Sequence, residues 1–561
     1  MRPTIALVLA SATALCCGTA ACTALLGNDF TVVGDGGGGG NGTGGGGTGG
    51  TTTSSQGGGG GQEQGDFAFA ILPTSASVPY EGTNFIAVEV TRTGDFTGGV
   101  HVSVQGAPPG FVTAPLTIAA DATAGQLEVG ASGTLVLGTE FDLELLAESG
   151  DLVHSDSVPA IVTGTPGTLD SSFGTAGLAA WQLGTDGGEL VAIREVAQDK
   201  ILVAGHKMSG LGAITFAGAR LLPDGTLDSS FDGDGTVGAQ FCGCTKTGMA
   251  VGVSRAVSGN VYYVGWASQG SGYSNDVALL RLKDDGTPDD DVAHDDGQNL
   301  FDLGTDSNDI VLAMEPDSND LPTLTGEIDG QLFVARIGDL QWGGLDNGYA
   351  GGAGYLVPSL GGSVSVGQAI AIDSAGNAVV AGFVDHSTRD LVILRVTPSG
   401  VLDGSFATGG VFELTQNGTQ TASGVAIEPD GAIVVTGITD EQSSNQNIFV
   451  LRLTPAGTLD ADFGMAGMSI VDTPEVEEAA GIALMLDGRI LVAGNGNGPL
   501  IARFLGDGSP DPTFGTNGRQ AINLGVDGRA GAITVSQSGM TLLAGARSNY
   551  PTYGVVARIW N

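Results

Sequence analysis

Apolar and polar residues alternate along most of this chain in short runs, and Gly, Pro and Asp break the runs at close intervals. Between residues 66 and 164 the alternation passes through Phe67 and Phe69, then Ile86, Val88 and Val90, then Val100, Val102 and Val104, then Phe141, Leu143 and Leu145. A period of two sets every second side chain on one face of a strand, so these runs predict short antiparallel strands. Gly94, Gly98, Pro108, Pro109 and Gly110 supply the turns between them. Some seven such strands in about a hundred residues predict a small β-sandwich.

From Gly167 onward one larger pattern recurs. It opens with GTLDSSFG (167–174), passes through an apolar strand and a hairpin such as GVAIEPDGAIVVTG (424–437), and ends in a strand such as IFVLRL (448–453). The opening Gly returns at Gly225, Gly286, Gly400, Gly457 and Gly508, with a worn copy near Gly338. A Gly ending the third strand recurs at Gly205, Gly265, Gly326, Gly382, Gly437, Gly494 and Gly545. An Arg in the fourth recurs at Arg220, Arg281, Arg336, Arg395, Arg452, Arg503 and Arg558. The interval is long, 51 residues from Gly494 to Gly545 and 61 from Gly265 to Gly326. Four strands per unit, joined in sequence, predict one blade each, and seven blades set radially cover one another's apolar faces. The expected architecture is therefore all-β, a seven-bladed β-propeller over 165–561 preceded by the sandwich over 66–164. Exchange of a strand between the first and last blades is left open by the pattern.

LDSSFG (169–174), DGRILVAG (487–494) and VLRL (450–453) resemble the signatures of the bacterial delta-60 repeat family, over about seventy per cent of the chain. That resemblance implies a propeller-like fold and carries over neither catalytic residues nor a substrate. The sandwich resembles an immunoglobulin-like module, although it lacks the Cys pair that bridges the sheets in many such domains.

The first 65 residues belong to neither pattern. Residues 1–21 read as a signal peptide: Arg2 is the positive start, Ile5 to Leu15 the apolar run, and Thr19, Ala20 and Ala21 the small residues before a cut. They precede Cys22 as in a bacterial lipoprotein box, except that Thr19 stands where that motif usually has Leu. Cys22 is thus the expected lipidation site, with plain secretion as the alternative. The rest of 22–65 is largely Gly, Thr, Ser and Gln, a composition that buries no core and serves as a tether with a mean reach of about 30 Å. No later segment reads as a membrane span.

Composition narrows the partners. Gly is 97 of 561 residues, Lys plus Arg only 20, and the formal charge is −41, which disfavours nucleic acid and anionic lipid surfaces. Membrane association is expected through the lipid anchor alone. The residues repeated in every unit have structural explanations: Gly for turns, Asp170 and its equivalents for bonding their own following amides, Phe173, Phe231, Phe406, Phe463 and Phe514 as plugs between blades. Recognition is instead expected on the variable rim, in WASQGSGYSND (266–276), VDHSTRD (384–390), TDEQSSNQN (439–447) and ARSNYPTY (546–553). Trp266, Tyr273, His386, Arg389, Tyr550 and Tyr553 are the side chains these loops put forward. Cys242 and Cys244, in FCGCTKTG (241–248), read as a local disulfide in an exported protein, with two free thiols as the other option. Nothing in the spacing of His and Cys marks a metal site, and no cofactor is expected. The acidic run 283–297 departs from EF-hand spacing, so calcium there is the weaker reading and a solvated connection the stronger.

No GxSxG, HExxH or phosphate loop stands in the repeats, and the five His are scattered. A propeller enzyme would carry acids or His on its innermost strands, and the first strand of the units offers only Gln182, Asp302, Glu413 and Asn523. The expectation is a non-catalytic envelope lipoprotein that binds a polysaccharide or a protein. The alternatives are a polysaccharide-degrading enzyme using two carboxylates and a purely structural spacer.

Overall fold

The computed structural model describes residues 65–561 except 73–75, 81–83, 134, 136, 209–212, 242–246, 269–273, 291–295, 305–306, 318–320, 340–343, 416–417, 441–445, 472–476 and 549–550. Regular structure among these residues is almost entirely strand, and none of their helices is long and apolar enough to cross a membrane. Residues 1–64, on which the expected signal peptide, the lipidation expected at Cys22 and the expected tether fall, lie outside the described residues, as do Cys242, Cys244, Tyr273, Tyr550 and the middle of the acidic run. The chain forms two compact units, one ending at Pro166 and one running from Gly167 to Asn561.

In the first unit, Asp66–Leu72, Asn84–Thr93, Ala124–Ala131 and Phe111–Thr113 make one sheet in that order. Ala76–Pro79, Leu152–Thr163, Glu140–Ser149, Val100–Gln105 and Leu116–Ile118 make the other. The alternating residues meet between them: Phe67, Ile86, Val88, Val90, Val100, Val102, Leu143 and Leu145 are buried in one cluster. Ala76–Pro79 pairs in parallel with the strand ending at Thr163, which ties the two ends of the unit together.

In the second unit the described residues form seven sheets, and each begins with one strand of a central set. These strands are Gly187–Val196, Gly248–Arg255, Asp309–Pro316, Val364–Ile372, Gln420–Ile427, Glu478–Leu484 and Arg529–Val535. Each packs beside the next, and Arg529–Val535 returns to Gly187–Val196. The fourth sheet shows the common plan, with Val364–Ile372, Ala378–Asp385, Arg389–Val396 and Val411–Leu414 hydrogen-bonded in chain order.

Two expectations change. The strand after each GTLD turn is not the inner edge of its own blade; it is the outer edge of the preceding sheet. Val411–Leu414 closes the fourth sheet, and Leu178–Gly184 pairs with Thr552–Ile559 at the outer edge of the seventh, 373 residues away from Trp181 to Gly554. Sequence order alone made that strand look like the start of a blade, whereas its hydrogen bonds go back to the Arg-bearing strand. The worn repeat copy is also displaced, from Gly338 to Leu345-Asp346-Asn347-Gly348-Tyr349, where Asp346 and Tyr349 take the places of Asp and Phe.

Every central strand carries a register shift at the same place, between Leu190 and Ala192, Ala250 and Gly252, Val311 and Ala313, Gly367 and Ala369, Ala422 and Gly424, Ala479 and Gly481, and Ala530 and Ala532. The recurrent Gly of the neighbouring strand lies opposite the shift and inside its strand, not at its end. A Cβ on Gly437 would stand 1.8 Å from the Thr421 carbonyl oxygen, and one on Gly205, Gly265, Gly326, Gly382 or Gly545 would stand 1.8 to 1.9 Å from the corresponding oxygen. Close backbone approach, with no need of positive φ, makes Gly obligatory there.

The remaining repeated residues form one brace per sheet. Arg395 Nε donates to Asp403 at 2.7 Å and its guanidinium lies 4.8 Å from the Phe406 ring centre, while Arg395 Nη1 reaches the Pro455 carbonyl of the following repeat at 2.8 Å. The same pairing joins Arg220 to Asp228, Arg281 to Asp289, Arg336 to Asp346, Arg452 to Asp460, Arg503 to Asp511 and Arg558 to Asp170. Asp170, Asp228, Asp346, Asp403, Asp460 and Asp511 each also accept the amide two residues on, as Asp170 does from Ser172 at 3.0 Å. The braced ring then abuts the Gly of the next turn: Phe173 meets Gly225, Phe231 Gly286, Tyr349 Gly400, Phe406 Gly457 and Phe463 Gly508, and Phe514 meets Gly167.

Replacing Gly437 with Ala is expected to cost about 3 kcal/mol or more, because the carbonyl it would strike belongs to a paired strand. Gly404→Ala, where an added Cβ meets nothing within 4 Å, serves as the control and is expected to leave stability unchanged within about 0.5 kcal/mol. Urea unfolding of the two variants reads the difference; equal stability would contradict the close-approach explanation.

Candidate functional site

The antiparallel plan gives the second unit two rims. One carries the tight turns such as Pro429-Asp430-Gly431 and the braces, and its side chains are largely consumed by the contacts just described. The other carries the connections between the second and third strands of each sheet and the chain's passage to the next sheet, and it differs from sheet to sheet.

On the variable rim the sequence-selected residues divide. Trp266 is buried within Val261–Ser268, opposite Met249, and faces the core; an aromatic next to a polar loop read as a surface residue because the strand's end was placed too early. Tyr553 is half-buried against the core of the last sheets with Arg547 over its ring at 5.1 Å. Arg389 is bound to Asp385 at 2.8 Å and stacked 3.8 Å above the centre of Phe383. His386 is exposed, and its Nε2 stands 3.0 Å from Glu413 Oε1.

Glu413 was expected on an innermost strand and sits on an outermost one. So does Gln182, while Asp302 follows an outermost strand directly and Asn523 stands one residue beyond another. The placement of Glu413 brings it to His386 and Asp390. Asp390 and Val392 share a face of their strand and Glu413 is paired opposite Val392, so the two carboxylates are diagonal neighbours. One donor atom from each of His386, Asp390 and Glu413 lies within 4.8 Å of the others.

The centre of the sheets is narrow. Arg194 of the first sheet reaches Glu315 of the third at 2.6 Å across the strand between them, and Glu315 is fully buried. The bulge residues of the central strands are mostly apolar and buried, Val191, Val251 and Ala480 among them, with Gln368 and Ser423 as polar members. At the variable-rim end of these strands stand Glu189, Glu478 and Arg529, from the first, sixth and seventh sheets. Arg529 binds Glu478 and lies 4.0 Å from Glu189. Burial raises the Glu189 pKa, Arg529 opposes the rise, and the Glu478 carboxylate adds to it. His206, paired opposite Glu189 in the register, is buried and held neutral by desolvation, with its pKa down to about 4 and Nδ1 without a hydrogen-bond partner among the described residues. The sequence reading missed this group because it looked for axial acids on the wrong strands.

Asp309 opens the central strand of the third sheet on the same rim. Its carboxylate is buried, accepts the Leu303 amide at 2.7 Å and the Ser307 hydroxyl at 2.8 Å, and faces the negative charge of Asp302 and Asp276. Burial, ahead of these, pushes its pKa up to about 6.

The chain is a propeller-type β-repeat protein. The family model described as a domain of unknown function (DUF5122) beta-propeller matches residues 199–231, 428–463 and 486–514. Each matched segment contains one complete brace, Arg220, Asp228 and Phe231 in the first, Arg452, Asp460 and Phe463 in the second, Arg503, Asp511 and Phe514 in the third. No curated protein matches the chain. Among solved structures it is similar to a protein of unknown function from Bacteroides caccae, at 12% identity over 51% of this chain and 84% of that one, with a TM-score of 0.30. It is also similar to a quinonprotein alcohol dehydrogenase-like protein from Bacteroides thetaiotaomicron, at 9% identity over 88% and 99% with a TM-score of 0.32. An endo-arabinase from the same species matches at 13% identity over 43% and 90%, with a TM-score of 0.27.

Asp309 gives the rim a pH signature. Its folded-state pKa is raised, so the stability it contributes is full below about pH 4 and is lost as pH rises through about 6. Asp309→Asn should therefore gain on the wild type by about 3 kcal/mol between pH 4 and pH 7.5, read from urea unfolding at each pH. A constant gap between the two proteins would contradict the buried, protonatable carboxyl.

Proposed function

We propose that this is an exported, lipid-anchored protein of the cell envelope in which a seven-bladed propeller of delta-60-type repeats, preceded by an immunoglobulin-like module, acts as a non-catalytic binding scaffold. The partner is a polysaccharide or another envelope protein, held on the variable rim, with outer-membrane or cell-surface placement through Cys22. One observation carries this reading: the residues repeated in every sheet are spent on bracing, whereas ionic and hydrogen-bonding side chains that vary between sheets gather on one rim. His386, Glu413, Glu478 and Arg529 are exposed there on rigid strands and a short turn, which suits recognition of hydroxyl-rich or charged groups. The anionic surface, with its −41 formal charge, fits neither nucleic acid nor direct contact with anionic lipid.

A second reading, hydrolysis of a polysaccharide, has Glu189 behind it. A carboxyl with a raised pKa beside another carboxylate is the pattern of a general acid with its partner.

The test captures ligands from glycan arrays and envelope extract with the full chain, before and after loops 269–273 and 386–389 are replaced with Gly-Ser sequence of equal length. Binding is expected to fall at least tenfold on replacement. Equal capture by both proteins would remove the rim from the account, and release of new reducing ends by the wild type but not by Glu189→Gln would replace binding with hydrolysis.

A further inference from the structure

We propose that the rim of the fourth sheet is a binding site for a divalent transition cation, zinc by preference, held by His386 Nε2 and one carboxylate oxygen each from Asp390 and Glu413.

Geometry comes first. His386 stands in the turn between Ala378–Asp385 and Arg389–Val396, Asp390 is the second residue of the latter strand, and Glu413 projects from Val411–Leu414 beside it. Two of the three positions are therefore fixed by strand pairing, and the turn is closed by the His386 amide donating to the Thr388 carbonyl at 2.9 Å. The donor atoms already lie within 4.8 Å of one another. Around a tetrahedral zinc, with bonds of roughly 2.0 to 2.2 Å, they would stand about 3.4 Å apart. His386 and Glu413 are exposed, so both can make that small approach by side-chain rotation.

The second, independent observation is the state of Asp390. Its side chain is buried, 1% exposed, and its hydrogen-bond partner among the described residues is the Thr388 hydroxyl at 3.0 Å. A buried carboxylate needs charged or hydrogen-bonding partners to offset the cost of its desolvation. Arg389, its neighbour in the chain, is turned to Asp385 and held over Phe383 instead. A divalent ion between Asp390 and Glu413 neutralises both carboxylates, and His386, with its proton on Nδ1, offers it the Nε2 lone pair in place of the hydrogen bond that Nε2 now makes to Glu413.

The donor set decides which ion. One imidazole nitrogen with two carboxylate oxygens suits zinc or manganese; calcium takes six to eight oxygens and magnesium keeps most of its water. Three protein ligands leave a fourth position toward solvent, where a ligand oxygen can bind.

The experiment uses the full chain, stripped with chelator, its thiols alkylated so that cysteines do not compete, and titrated calorimetrically with zinc, manganese and calcium. The wild type is expected to take one equivalent of zinc more tightly than manganese, with millimolar calcium failing to displace it. His386→Ala and Glu413→Gln, both at exposed positions, are each expected to lose at least tenfold in zinc affinity while keeping the wild-type circular dichroism spectrum. Unchanged affinity and stoichiometry in these two variants, or a folded wild type that takes up no zinc, would overturn the site.

Discussion

The structure depends on a charged group held in a place where charge is costly. In each sheet of the repeat unit, an Arg from the third strand lies under an aromatic ring and binds the Asp of the following turn, and in the sixth sheet Arg503 and Asp511 are both almost completely buried. Desolvation, with the nearby Arg489, pulls the Arg503 pKa down to about 10, a direct sign of that cost. Two hydrogen bonds to carboxylate and hydroxyl and the face of Phe514 offset it. A buried pair of this kind adds little net stability over an apolar substitute, but it penalises every arrangement in which one partner loses the other. It therefore selects one register between a strand and the turn that follows. Where the guanidinium also reaches the next repeat's carbonyl, as Arg395 does at Pro455, it selects the position of the neighbouring sheet as well.

The same device joins the two ends of the repeat region. Arg558 binds Asp170 at 2.6 Å and the Pro223 carbonyl at 2.6 Å, and the Gly167 amide donates to the Trp560 carbonyl at 2.8 Å. A brace that elsewhere spans eight to ten residues, as from Arg452 to Asp460 and from Arg336 to Asp346, here spans almost the whole repeat region, and Leu178–Gly184 completes the last sheet beside it. A residue spent on the brace is unavailable for a ligand, and the proposed binding role therefore falls to the rim whose connections the brace does not constrain.

How much of this was legible depended on whether a feature repeats. Gly437 and its equivalents, the seven Arg and the Asp of each turn announce themselves by recurrence, and the sandwich's Val88 and Leu143 by alternation. Which sheet owns an edge strand is a different kind of fact. Val411–Leu414 follows one turn and precedes another, and only its hydrogen bonds to Arg389–Val396 assign it. That single misplacement hid the candidate site, since His386 and Glu413 were each singled out in sequence but placed on different parts of the blade. Trp266 failed for a similar reason, a strand running on through Trp266, Ala267 and Ser268, three residues further than the loop composition suggested. Asp390 gave no signal in sequence, being one acid among 61, and becomes conspicuous only through its burial.

The most direct test is a double-mutant cycle on Arg558 and Asp170, each replaced by Ala singly and together, with the cycle on Arg452 and Asp460 as the internal standard. If the brace closes the repeats on themselves, the distant pair should show a coupling energy of about 1 to 3 kcal/mol in urea unfolding, matching the local pair. Additive losses at Arg558 and Asp170, beside clear coupling at Arg452 and Asp460, would contradict it.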